Sequence, residues 1–347
     1  MNIILRKATI AGCLFCSLVL SGVAEAKPRS HVRSTDFSGK PVGVRNVGMG
    51  ETGAATTGDS SSPVWNPACM VDLESSFWAM DFDVAKQSTL DTNVILGDTP
   101  LRGRKLVYLG LANSESAIFF RPLANYRERV ITNTADPANN FEDTSMKVYQ
   151  IGLTAAQTDK QSDVGLTISY LNARRSYMDV ETGMTPELTM ADGHGFSLDM
   201  GMRGRTDHVS VGLAFFNIPG IIYWNEYKAD QLPVQMKAGL AFNPISAVTI
   251  ASDYEKRFYR GGEPKPDYLH IGLELKLLRW FAVRGGTYGD DLNDPDKTNY
   301  TAGCSFYSTQ NHRLDFAFRT YRLQEERVYN YMVGIALPIS NTADSGY

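Results

Sequence analysis

Residues 162–174 read SDVGLTISYLNAR, and the spacing of their apolar side chains decides the fold. Val164, Leu166, Ile168 and Tyr170 fall on one side of an extended chain, and Asp163, Gly165, Thr167 and Ser169 on the other. Side chains of a β-strand alternate between faces with period two, so this run is a strand with one apolar and one polar face. The pattern recurs along the chain. Phe196, Leu198, Met200 and Met202 oppose Ser197, Asp199, Gly201 and Arg203. Leu269, Ile271, Leu273 and Leu275 oppose Tyr268, His270, Glu274 and Lys276, and Leu314, Phe316 and Phe318 oppose Asp315, Ala317 and Arg319. A slip of one residue would exchange the two faces, so the register is strongly specified.

Working outward, the alternation predicts strands at 75–84, 104–111, 116–123, 145–157, 162–174, 193–205, 208–217, 233–243, 247–257, 267–277, 279–288, 299–308, 312–322 and 328–339. Short connections at 112–115, 158–161, 206–207, 244–246, 277–278 and 309–311 alternate with long ones at 85–103, 124–144, 175–192, 218–232, 258–266, 289–298 and, more modestly, 323–327. Short turns on one side and long loops on the other, with an even strand number, are the habit of outer-membrane barrels. The expected fold class is therefore all-β: a transmembrane antiparallel β-barrel of about 14 strands, with both ends of the barrel on the periplasmic side. A secreted sandwich would also alternate, with its apolar faces meeting each other. The aromatic load, the turn asymmetry and the strand number favour the barrel.

Composition agrees. Among the 347 residues are 17 Tyr, 16 Phe, 4 Trp and 30 Gly, the pool from which aromatic girdles and close-packed strands draw. The formal charge of −4 is spread along the chain, with no basic patch to suggest nucleic acid. Mean hydropathy is −0.23, and beyond residue 26 no run approaches the ~20 apolar residues of a membrane helix. Residues 1–26 have the anatomy of a signal peptide: Arg6 and Lys7, an apolar core from Ile10 to Val23, and Ala24-Glu25-Ala26 before the cut. A lipoprotein reading at Cys13 fails because most of the apolar run follows that cysteine. Cys69 and Cys304 remain in the mature chain, enough for one disulfide in an oxidising compartment.

Residues 43–68, GVRNVGMGETGAATTGDSSSPVWNPA, break the alternation. Their small residues and tight-turn glycines suit a compact segment folded into a lumen. The stretch Gly43-x-Arg45-x-x-Gly48-Met49-Gly50, with Ala54, Asp59 and Trp65-Asn66-Pro67-Ala68, resembles the N-terminal signature of the FadL superfamily. Within it the likeness is nearest to the PorV/PorQ-type branch. The resemblance implies a 14-strand barrel plugged by its N-terminal segment, with no cofactor and no chemistry. Its plug motif maps onto Gly48, Gly50, Asp59, Trp65, Asn66, Pro67 and Ala68. Cys69 stands where Gly is usual, and Ser60-Ser61-Ser62 where Asp and Ala are common. Near the end, Gly334-Ile335-Ala336-Leu337-Pro338-Ile339 is similar to a barrel assembly signal. The expected organisation is a signal peptide at 1–26, a plug segment at 27–74, a barrel at 75–339 and a tail at 340–347.

Chemistry-bearing constellations are few. Gly58-Asp59-Ser60 with Asp267-x-x-His270 has the letters of an esterase without its helices or oxyanion hole. The acidic loop 289–296 lacks EF-hand ligand spacing, and the five histidines lack metal-ligand spacing, so no metal site and no enzyme is expected. Ile218, Ile221, Ile222, Tyr223 and Trp224 put an apolar run in an expected external loop, a candidate capture site for a greasy ligand or a partner. Arg203, Arg205, Glu255 and Arg284 face the expected lumen, where an ion-pair network holding plug to wall is favoured over a polar conduit. Two functions follow from the resemblance. One is binding or passive uptake or export of a hydrophobic small molecule across the outer membrane. The alternative is a PorV-like scaffold that binds exported proteins or a secretion machine. The partners in either case include outer-membrane lipid and exclude nucleic acid.

Overall fold

A computed structural model describes residues 41–56, 58–84, 105–159, 161–258, 267–323 and 326–339. The signal peptide, the start of the plug segment and the tail expected from sequence lie outside these residues. The described strands are β1 (Ser76–Asp83), β2 (Lys105–Ala112), β3 (Ser116–Ile131), β4 (Phe141–Asp159), β5 (Ser162–Val180), β6 (Glu187–Arg205), β7 (Val209–Phe216), β8 (Gly220–Trp224), β9 (Asp230–Gln231), β10 (Val234–Ile245), β11 (Val248–Phe258), β12 (Tyr268–Leu278), β13 (Phe281–Gly289), β14 (Thr298–Tyr307), β15 (Arg313–Leu323) and β16 (Glu326–Ile339). Neighbours pair antiparallel, and β1 pairs with β16 from Ser76↔Ile339 to Asp83↔Met332, closing the sheet. β7 and β8 lie in sequence along β6, and β9 and β10 along the next stave, so the wall is a closed barrel of 14 strands.

The polarity of the wall is inverted relative to a soluble protein. Val164, Leu166, Ile168 and Tyr170 are exposed while Asp163, Thr167 and Ser169 are buried. Leu269, Ile271 and Leu273 face out, and His270 and Glu274 face in. On the polar face, Asp199, Arg203, Glu255, Glu274, Arg284 and Asp315 are buried and Arg319 is half-buried. This orientation excludes the sandwich, whose apolar faces would be hidden. In hydrocarbon every backbone polar group must bond within the protein, and a closed ladder meets that demand without an edge. At the short-turn end, Trp280, Phe281, Phe306 and Phe316 pack together, with ring centroids 5.1–6.3 Å apart. They form an aromatic cluster where a barrel meets the interface.

The strands are longer than expected on one side. β4, β5 and β6 each run 19 residues, whereas a tilted strand crosses the hydrocarbon in about 9–11. The expected loops 124–144 and 175–192 are therefore largely strand. Their ladders continue to Ile131↔Phe141 and Phe141↔Val180. The sequence hides this because the alternation changes phase of polarity. Above Tyr170 the outward positions become Asn172 and Arg174, and the inward ones Leu171 and Ala173. Inward apolar groups of β3–β6 meet Ile222, Trp224, Tyr227 and Leu232 in a buried cluster. The expected loop 218–232 is corrected likewise: β8 pairs with β6 from Ser197↔Gly220 to Gly193↔Trp224.

The lipid-facing assignment has a direct test. Ile168→Lys, on the exposed apolar face, is expected to destabilise the folded barrel by about 2–4 kcal/mol. The neighbouring inward substitution Thr167→Ser should cost far less. Urea titration of the barrel folded in lipid vesicles checks the difference.

Candidate functional site

The segment from Val42 to Leu73 lies inside the barrel, and nearly every residue of it is buried. It holds two short helices, α1 (Val44–Gly48) and α2 (Ser62–Trp65), followed by a 3₁₀ turn from Pro67 to Asp72. The Trp-Asn-Pro-Ala motif closes the segment on itself. Trp65 Nε1 donates to the Val42 carbonyl at 2.9 Å, and Asn66 Nδ2 donates to the Ala54 carbonyl at 2.6 Å. Asn66 Oδ1 accepts from the Ala68 amide at 3.0 Å and caps the 3₁₀ turn that Pro67 begins. All seven residues of the expected plug motif are buried, and Trp65, Asn66, Pro67 and Ala68 are joined by these contacts.

Two structural devices fix this unit to the wall. One is close backbone approach. A Cβ on Gly212 would stand 1.8 Å from the Ala54 carbonyl oxygen, and one on Gly272 2.2 Å from that of Met49. Gly50 combines a left-handed φ of 70° with a place where a Cβ would meet the Ile271 carbonyl at 2.3 Å. Its amide donates to Thr301 Oγ1 at 2.8 Å, and its carbonyl lies 2.9 Å from His270 Nδ1.

The other device is charge. Arg45 of α1 forks onto Glu274 with contacts of 2.9 and 2.8 Å, and Arg284 bonds the same carboxylate. Arg284 reaches Asp315 at 3.4 Å, Asp315 takes Arg313 at 2.6 Å, and Arg313 takes Asp59 of the plug at 2.7 Å. Three arginines alternate with three carboxylates, so the chain of contacts begins and ends on the plug and carries no net charge. Asp72 is held by Arg203 at 2.7 Å and by Arg205, and Glu51 by Arg319 at 2.5 Å. Asp253 accepts the Gly53 and Ala54 amides at 2.7 and 2.8 Å. Burial favours the neutral form of Asp59, but Arg313 and Arg45, with Ser61 hydrogen bonds, outweigh it and hold the carboxyl below its ordinary range. Burial pushes the Cys69 thiol up to about 12, and Cys69 and Cys304 are both free thiols.

Of the lumen charges singled out from sequence, Arg203, Arg205 and Arg284 belong to this clamp. Glu255 does not. It binds Lys237 at 2.9 Å and Arg257 at 2.7 Å on the wall of a chamber of about 670 Å³ above the plug. Val42, Val64 and Trp65 form the plug side of that chamber, and Lys237 Nζ sits 4.4 Å from the Trp65 ring centre. Val107, Arg121, Leu123 and Phe216 contribute a further stretch of its wall. There the barrel has a seam. β2 and β3 pair only from Ala112↔Ala117 to Leu109↔Phe120, and beyond that point β2 keeps its bonds to β1 alone among the described residues. Pro122, which has no amide proton, lies at the register shift of β3 that follows.

The candidate apolar run does not form a single exposed patch. Ile222 and Trp224 point into the upper cluster, with Trp224 Nε1 bonded to Asp230 at 2.9 Å. Tyr223 is exposed, and Ile218 and Ile221 are half-buried. A strand pairing on β6 must send alternate side chains inward, which is why the run divides. Ser60 and His270 share no partner: Tyr108 donates to the Ser60 carbonyl, while His270 serves Gly50. Sequence reasoning missed Glu51, Asp72 and Arg121, because charged residues near plug or strand ends look like ordinary solvated groups.

Removing the Glu274 carboxylate leaves Arg45 and Arg284 short of a buried counter-charge. Glu274→Ala is expected to lower stability by about 3–5 kcal/mol in denaturant titration. Gly212→Val should instead unseat the plug, making residues 43–72 accessible to protease while the barrel keeps its strand content by circular dichroism. The Asp59 contact contributes stability above the ordinary aspartate pKa of about 3.9 and loses it as pH falls below that value. Protease access to the plug should therefore rise on acidification, and less so in Asp59→Asn.

No family model and no curated protein sequence matches the chain. Among solved structures the fold is similar to the Ralstonia pickettii toluene transporter TbuX, with a TM-score of 0.63 and 14% identity over 88% of this chain and 100% of that one. It is similar to the P. putida toluene transporter TodX, with a TM-score of 0.61 and 12% identity over 88% and 99%. A Pseudomonas aeruginosa FadL homologue gives 0.58 and 10% over 86% and 97%. At these identities the likeness is one of fold alone, a 14-strand barrel, over nearly the whole of each chain.

Proposed function

We propose that this chain is an outer-membrane channel through which small hydrophobic molecules diffuse. The observation that carries the reading is the chamber above the plug, one wall of which coincides with the β2–β3 seam. The plug's charge clamp argues against a path straight through the lumen. The route consistent with a seated plug enters from the loop end, crosses the chamber past Val107, Leu123 and Phe216, and leaves sideways through the wall where backbone pairing stops. Polar solutes are disfavoured there, because leaving water for the acyl region is costly for them. The likeness of fold to transporters of toluene supports the same class of cargo.

A second reading, a PorV-like scaffold for an exported protein or a secretion machine, draws on a different feature. The tall β3–β6 wall carries Met184, Leu188 and Met190 exposed beyond the membrane-crossing part, and flexible methionine surfaces suit protein partners. Of the candidate apolar run, Tyr223 is the member left exposed to such a partner.

Entry of toluene into lipid vesicles containing the barrel separates the readings. Wild type should admit toluene faster than protein-free vesicles, and the double substitution Val107→Trp and Leu123→Trp should abolish most of that gain. Wild-type vesicles no faster than empty ones, with a stoichiometric protein recovered from native membranes, would favour the scaffold.

A further inference from the structure

We infer that Arg121 makes the chamber a binding site for compact aromatic carboxylates; the inference rests on the channel reading above and adds a second class of ligand to the same chamber. Most other arginines of the lumen are held by carboxylates, and the buried Arg175 lies 4.8 Å from the Tyr227 ring centre. Arg45, Arg203, Arg205, Arg257, Arg284, Arg313 and Arg319 each contact a carboxylate within ion-pair distance. Arg121 contacts none among the described residues. Asp199, whose charge acts on it, lies beyond that distance and accepts the Asn217 amide at 2.8 Å.

The guanidinium is nonetheless fixed. Arg121 Nε donates to Gln150 Oε1 at 2.6 Å, and Gln150 Nε2 donates to Ser169 Oγ at 2.8 Å, with Gln150 and Ser169 both buried. This relay uses the Nε edge and leaves the two terminal nitrogens, which form the fork that matches a carboxylate with two parallel hydrogen bonds. A half-desolvated cation with an oriented but unused fork gains more from an anion than a solvated one does.

The surroundings set the rest of the ligand. Leu123, two positions along the same strand, and Phe216 and Val107 line the chamber with Arg121. Farther round, the lining turns to the Lys237–Glu255–Arg257 and Glu51–Arg319 pairs. The apolar surface in reach of Arg121 is therefore small. A single ring bearing a carboxylate covers it, whereas a long alkyl chain would be pressed against ion pairs that it cannot satisfy.

Isothermal titration of the full mature barrel in lipid nanodiscs with benzoate tests the inference, with toluene entry into vesicles measured on the same preparations. Wild type should bind benzoate saturably, Arg121→Gln should weaken binding roughly 10–100-fold, and Arg121→Lys, which keeps the charge but loses the fork, should fall between them. Strand content by circular dichroism should be equal in all three, which establishes that the variants fold. Equal benzoate affinity in wild type and Arg121→Gln, or no benzoate binding by a wild type that admits toluene, would overturn the carboxylate site and leave the channel reading intact. Failure of wild type to admit toluene would overturn the channel reading itself.

Discussion

Inside a bilayer, a polar group has no water to fall back on, and this demand organises the whole molecule. The wall meets it twice. Its backbone groups bond across a closed ladder, and its charged side chains turn inward, where they need partners as badly as the backbone does. Some of those partners lie on neighbouring strands, and the N-terminal segment supplies others. Arg45 ends on Glu274, Arg313 ends on Asp59, and the carboxylate of Asp253 takes two plug amides. Removing the plug in thought takes a partner from Glu274, Arg313, Arg319 and Asp253 and bares a file of glycines. Wall and plug are one structure in the energetic sense.

That mutual dependence shapes any transport route. A plug held by ion pairs from Arg45, Asp59 and Asp72 to the wall and by backbone contact at Gly212 and Gly272 is costly to displace as a body. Among the described residues the wall lacks such support at the β2–β3 seam, where pairing stops after Leu109↔Phe120 and Pro122 cannot donate. Rigidity in the centre and an incomplete ladder at one point of the wall together favour sideways passage over plug ejection.

Much of this was legible in the chain. Alternation from Val164 to Tyr170, and its repeats, placed the strands because lipid and lumen enforce opposite polarity on successive residues. The small residues at 43–68 break the alternation for a related reason: only small residues let two backbones touch. Three things were not legible. The upper halves of β3–β6 read as loops because, above the hydrocarbon, the outward positions become polar and the inward ones apolar, so the pattern inverts rather than ends. The apolar run 218–224 read as one patch because nothing local reveals that β8 pairs with β6 and sends Ile222 and Trp224 inward. Arg121 was invisible because its place on the chamber wall, with no carboxylate in contact among the described residues, emerges only once the strands are paired.

The central claim is that the segment 43–72 is an integral, permanently seated part of the barrel. Hydrogen–deuterium exchange of the protein in lipid vesicles measures this most directly. The account predicts that the amides of Gly50, Gly53 and Ala54 exchange as slowly as those of β12–β14, since their acceptors are wall side chains. Exchange of these amides at the rate of an exposed hairpin tip, with the strands still protected, would contradict it.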